Sequence, residues 1–153
     1  MKSTKIGADD GVVRGCQSVH IGIMKTILRL EDLALFVGFS SLFFLTPYAW
    51  WWYLVLILAP DLGMVGYIAN PRIGAFTYNL LHNRIIGVGL LMLSAPILYN
   101  SSYVESWMYP VFAAGCIIMA HASLDRMLGY GLKHTDHFKH THLGWLPGGE
   151  QKA

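Results

Sequence analysis

Apolar residues dominate four stretches of this chain, each close in length to the next. They run from about Ile27 to Thr46, from the residues after Pro47 to about Ala69, from about Gly74 to Leu98, and from about Pro110 to Gly131. Each approaches the roughly 20 residues that a helix needs to cross a hydrocarbon core of about 30 Å. Pro47, Asn70-Pro71 and the polar loop Tyr99–Tyr109 interrupt the pattern where helices are expected to stop. Short connections favour antiparallel neighbours. The pattern therefore predicts an all-α polytopic membrane protein, an antiparallel bundle of four transmembrane helices.

Residues 24–132 form the expected membrane domain. Residues 1–23 are polar, with no apolar run long enough for a signal peptide, and are expected to be a flexible extension. Residues 133–153 are expected to form a cytoplasmic, histidine-containing tail. The cluster Tyr48, Trp50, Trp51, Trp52 and Tyr53, and later Trp107, suits an interfacial aromatic belt. Gly38, Gly63, Gly66, Gly74, Gly87, Gly89 and Gly115 are expected to let helices approach closely.

Composition agrees. The 153 residues are 54% hydrophobic and 13% charged, with a mean hydropathy of +0.44, whereas soluble domains carry about 25% charged residues. From Leu33 to Leu124 the only Asp, Glu, Lys or Arg residues are Asp61, Arg72, Arg84 and Glu105. This excludes a disordered chain, a disulfide-rich secreted module and a typical soluble enzyme. A net charge of +2, with no basic stripe, gives no sign of a nucleic-acid partner. Cys16 and Cys116 lie in a polar tail and an apolar helix, so a disulfide between them is not expected.

The connections predict an orientation. The Tyr48–Tyr53 turn and the Tyr99–Tyr109 loop contain no basic residue, while Lys25, Arg29, Arg72, Lys133 and Lys139 fall at the opposite helix ends. The positive-inside rule puts both termini in the cytoplasm.

Ionisable residues inside spans are costly and point to function. Here they share a depth. Glu31 and Asp32 begin the first stretch, and Asp61 lies roughly 12 Å from the inner end of the second at 1.5 Å per residue. Asn79 and His82, three apart, lie on the third; His121 and Asp125, four apart, share a face of the fourth. Antiparallel packing would collect them in one cytoplasm-facing layer. Glu31, Asp61, His82, His121 and Asp125 make a nitrogen and oxygen ligand set suited to zinc, manganese or iron. Without metal, Asp61, His82, His121 and Asp125 can serve as acid and base. The blander alternative pairs Asp61 with Arg84 and Asp125 with Arg126, but it leaves both histidines and Asn79 unexplained. The tail from Lys133 to His142 holds four histidines, which read as a flexible solvated segment with adventitious metal affinity, although His142 can fold back over the bundle mouth. No P-loop and no Gly-x-Ser-x-Gly elbow is present.

Several strings carry a resemblance: Leu28-Arg29-Leu30-Glu31, Ala59 to Tyr67, Pro71 to Gly74, Tyr78 to His82, and His121 to Lys133 leading to Thr141-His142-Leu143-Gly144. They resemble the small integral membrane family known as domain of unknown function 4260, over about Leu28 to Gly144. The resemblance implies that Glu31, Asp61, Tyr67, Asn79, His82, His121, Asp125, Arg126, Tyr130, Lys133 and His142 belong to the family pattern. It implies no activity. The His-x-x-x-Asp pairing is also loosely similar to membrane-bound metal-dependent hydrolases, a fold-level analogy.

The expected function is therefore a membrane-embedded enzyme acting on a lipid or isoprenoid-like substrate by hydrolysis, isomerisation or cyclisation. Asp61, His82, His121 and Asp125 would be catalytic, and a divalent metal would be held by these four with Glu31. Tyr67, Asn79, Arg126, Tyr130, Lys133 and His142 would contact substrate, with Arg126 and Lys133 on an anionic headgroup. The alternatives are a small ion- or proton-coupled transporter and a non-catalytic assembly protein.

Overall fold

The computed structural model describes residues 7–99 and 105–149. They are mostly helical, with a single two-stranded hairpin. Helix α1 (Gly7–Phe43) is followed by α2 (Trp50–Leu56), a 3-10 helix (Ala59–Ile68), α3 (Pro71–Leu81), α4 (Arg84–Leu93), the short α5 (Pro96–Tyr99) and α6 (Met108–Leu128). Strands β1 (His140–Thr141) and β2 (Gly144–Trp145) pair antiparallel. The stretch expected as a flexible extension is continuous helix with α1 from Gly7 onward. The tip of the loop expected over Tyr99–Tyr109 lies outside the described residues.

Among the described residues, two helical runs are long and apolar enough to cross a membrane, Trp50–Ile68 and Met108–Leu128. The third apolar stretch is not one helix: it breaks at His82-Asn83 and again near Ser94. Asn83 causes the first break. Its side chain accepts the Ile85 N–H at 2.8 Å and so starts α4 afresh. The second stretch changes helix type because Pro60 has no N–H to give to the turn before it. The Asp61 N–H then bonds back to Leu58 O at 3.2 Å, and Ile57 O is left without a helical donor.

Helix α6 is the centre of the molecule, packed against α1 and α4. Phe43, Phe112, Ala113, Cys116 and Ile117 form the core, with Tyr53, Leu56 and Leu91 around it. Helix α3 packs instead on the 3-10 helix. That contact is made through glycine: a Cβ on Gly63 would lie 2.8 Å from Thr77 O and 3.0 Å from Tyr78 Cα. Gly66, Gly74, Gly87 and Gly115 are likewise closely approached, whereas Gly38 and Gly89 face open space. The Gly63 neighbours are backbone and cannot rotate away. Gly63→Ala is therefore expected to cost about 1–3 kcal/mol, and Gly38→Ala, inside an open helix face, to be neutral or stabilising by about 0.5–1 kcal/mol. Thermal melts of the two variants in detergent check the difference.

The outside of the molecule is apolar. Ile68 is 87% exposed, Ile85 79% and Met92 73%, and they are joined by Leu30, Val37, Leu58, Leu62 and Phe76. Leaving so many large side chains in water would forgo about 1.5–3 kcal/mol apiece.

Candidate metal centre

Four side chains from three elements converge at one end of the helices. The 3-10 helix brings Asp61, the C-terminal end of α3 brings His82, and the last two turns of α6 bring His121 and Asp125. Helix α6 ends in a Schellman turn: Gly129, at φ 93°, donates to Arg126 O and Tyr130 N donates to Asp125 O at 2.8 Å. This fixes the backbone that carries Asp125.

The hydrogen bonds fix the imidazole tautomers. His82 Nδ1 meets Tyr78 O at 2.8 Å, and His121 Nδ1 meets Ile57 O at 2.6 Å, the carbonyl freed by the change of helix type. A carbonyl only accepts, so each Nδ1 carries the proton. In the neutral rings the Nε2 lone pairs then face inward, 3.0 Å apart. Asp61 Oδ1 lies 3.5 Å from both Nε2 atoms, Asp125 Oδ2 3.5 Å from that of His82, and Asp125 Oδ1 3.8 Å from that of His121. Four electron-rich groups this close repel unless a cation or proton lies among them. A tetrahedral ion with bonds of about 2.0–2.1 Å holds its donors roughly 3.3 Å apart. The spacings among Asp61 Oδ1 and the two Nε2 atoms, 3.0 and 3.5 Å, bracket that value, so these three donors fit one ion, while Asp125 presents a different oxygen to each imidazole.

The surroundings have the form expected around a metal ligand set. Both histidines donate their other nitrogen to a backbone carbonyl, and Tyr78 donates its hydroxyl to Asp125 Oδ2 at 2.7 Å while its ring stacks on His82 at 3.7 Å. His82, His121 and Tyr78 are buried. Tyr78 stands four residues before His82, on the same helix face; that spacing was its sequence signal. The Ile57 carbonyl had none except Pro60.

The other candidates are distributed differently. Arg84 pairs with Asp32, not Asp61, and also donates to Ser123 at 3.1 Å. Neither Asp61 nor Asp125 has an arginine or lysine partner among the described residues, so the bland pairing does not account for them. Glu31 lies away from the cluster, lining a different cavity with Arg126 and His142. Tyr130 is exposed. Tyr67 packs edge-on against Phe138 and has a buried hydroxyl with no partner among the described residues.

The segment after α6, expected as a flexible tail, folds into a cap. Lys133 bridges Thr141, and the β1–β2 hairpin follows. His142 Nδ1 accepts the Leu132 N–H, and His140 stacks on Trp145. Asn79 holds the cap to α3 by bonding both faces of the Lys133 peptide, accepting its N–H at 2.7 Å and donating to its carbonyl at 2.8 Å. The amide is thereby used up in positioning. The Lys133 ammonium, buried, lies 5.3 Å from the Tyr78 ring centre and 4.4 Å from that of Phe138. Burial pulls its pKa down while the nearby Asp125 carboxylate opposes this. Asn79→Leu strands two backbone groups and is expected to cost about 1–3 kcal/mol. Amide hydrogen exchange at residues 133–145 should speed up while that of α6 stays slow.

Residues 25–146 match the model of a protein family described as a domain of unknown function. The chain belongs to the DUF4260 family. No curated protein and no solved structure matches it. The DUF4260 region takes in α1 from Lys25, the whole candidate metal centre and the cap.

Proposed function

We propose that this DUF4260 protein is a membrane-embedded, metal-dependent enzyme acting on a lipid or isoprenoid-like substrate. One observation carries the reading: two inward-facing imidazole nitrogens and the Asp61 carboxylate converge at tetrahedral-edge distances, with both outer imidazole nitrogens already hydrogen-bonded and Asp125 beside both rings. The set suits zinc, manganese or iron. Such an ion, when bound, would supply a Lewis acid and an activated water.

The chain's own residues divide the remaining work. Asp61, His82 and His121 would hold the ion, with Asp125, oriented by Tyr78, as the further carboxylate beside both imidazoles. The Asp61 side chain is 40% exposed, the least buried of the four, and is best placed to move a proton to or from a substrate. Lys133 places a positive charge beside Asp125 where negative charge would develop on substrate oxygen. Tyr67 offers a hydroxyl without a partner among the described residues.

The substrate class follows from an apolar cavity of about 360 Å³ lined by Trp52, Leu56, Pro60, Leu81, Ala114 and Ile117, a volume in the range of small-molecule sites. Pro60 and Leu81 immediately precede Asp61 and His82, so a chain lying there would bring its polar end toward the cluster. The apolar exterior and the aromatic cluster at Tyr48–Tyr53 support four membrane passes: α1, Trp50–Ile68, the broken α3–α4 run, and α6. A break at a buried polar site is how membrane helices build ligand sites. Lys25, Arg29, Arg72 and Lys133 support cytoplasmic termini.

A second reading rests on the same 3.0 Å contact: a proton shared between His82 and His121, giving acid–base chemistry without metal. Lipid extracts of membranes incubated with the purified protein, with and without chelator, separate the two. The metal reading expects conversion of one lipid class that chelator stops and Asp61→Asn abolishes; conversion indifferent to chelator favours the proton.

A further inference from the structure

A second cavity, of about 400 Å³, lies between α1, the start of α4 and the end of α6, and none of the four converging residues lines it. Its wall carries Lys25, Arg29, Arg84 and Arg126 against Glu31 and Asp32, with His142 contributed by the cap. Four cations against two carboxylates leave two positive charges uncompensated when His142 is neutral.

The pairing inside the cavity is incomplete. Arg84 uses its Nη2 on Asp32 and Ser123, but its Nε is buried without a hydrogen-bond partner among the described residues. Neither Arg29 nor Arg126 has a carboxylate within 4.0 Å among the described residues. Lys25, Arg29 and Asp32 recur at the i, i+4, i+7 spacing of one helix face. Arg126 is half-buried without a carboxylate partner among the described residues, which is costly, and Arg29 stands exposed beside it; a tetrahedral oxyanion supplies both the charge and the acceptors that this pair lacks.

We propose that this cavity binds a dianionic phosphate group through Arg29, Arg84 and Arg126, independently of the metal centre. Two sources present that chemistry, a lipid phosphomonoester headgroup and free inorganic phosphate. The cavity lies midway along α1, where Lys25 and Arg29 precede its apolar stretch, within reach of either.

The test uses the full chain purified in detergent. Inorganic phosphate is titrated calorimetrically, and retention of phosphatidate against phosphatidylcholine is measured by native mass spectrometry. Wild-type protein is expected to bind at least one of the two dianionic probes, and Arg126→Gln to weaken that binding about tenfold or more, as for a lost charge-assisted hydrogen bond. Arg29→Gln, at an exposed α1 position, is expected to do the same without affecting folding. Retention of phosphatidate alone assigns the site to a headgroup; binding of phosphate alone assigns it to the free ion. Binding of neither probe, or equal binding by wild type and both variants, overturns the proposal. Failure of the protein to bind metal would leave these results unchanged.

Discussion

His121→Ala is expected to bring bound metal from about one ion per chain to background, a loss of affinity of more than about 100-fold, because even partners behind the ligands are worth about 10–100-fold. The substitution removes one of only two nitrogen donors in the cluster. It also releases Ile57 O, so the second apolar run loses one hydrogen bond to α6. Lipid conversion should disappear with the metal. Tyr78→Phe provides the graded comparison: all four donors stay and only the 2.7 Å hydrogen bond to Asp125 is lost. A decrease of about 10–100-fold in metal affinity is expected there. Helical circular dichroism should be retained by both proteins, and metal content is read by elemental analysis.

Ala114→Trp is expected to abolish turnover while leaving bound metal at the wild-type level. Ala114 lies on the exposed side of α6 in the wall of the apolar cavity, and none of the four converging residues lines that cavity. An indole there would occupy much of the volume offered to an acyl or isoprenoid chain. Co-purifying lipid should fall in parallel, as measured by mass spectrometry of the detergent extract. The pair of variants separates the two halves of the proposed site. One loses the ion and keeps the groove, and the other loses the groove and keeps the ion. Turnover unaffected in Ala114→Trp would mean that the substrate does not lie along α6.

The chemistry of the site was more legible in the sequence than its framework. Asp61, His82, His121 and Asp125 stood out because charged and imidazole groups are expensive in apolar stretches, and their helical spacings already placed His121 and Asp125 on one face. The break at Ile57-Leu58 was hidden because apolar residues continue across it, and that at His82-Asn83 because the short polar triplet His82-Asn83-Arg84 lies between two apolar runs. Only Pro60 and the capping position of Asn83 marked them locally. The partner of Arg84 depended on which helices touch α4, and no local pattern carries that information. Asp32 lies 52 positions away on α1. Asn79 belonged to the right layer but works as a clamp for the cap, a role that depends on a segment 54 residues further along. The cap itself reads as a polar, histidine-rich tail because its order comes from backbone pairing and from burial of Lys133 against aromatic rings, neither of which shows as periodicity.

Elemental analysis of the detergent-purified chain, side by side with a His82→Ala/His121→Ala double variant, decides whether the converging side chains are a metal centre. Roughly one zinc, manganese or iron per wild-type chain is expected, and none above background in the double variant. Wild-type protein that stays metal-free after incubation with all three ions, or a double variant that holds as much metal as wild type, would contradict the metal-centre reading.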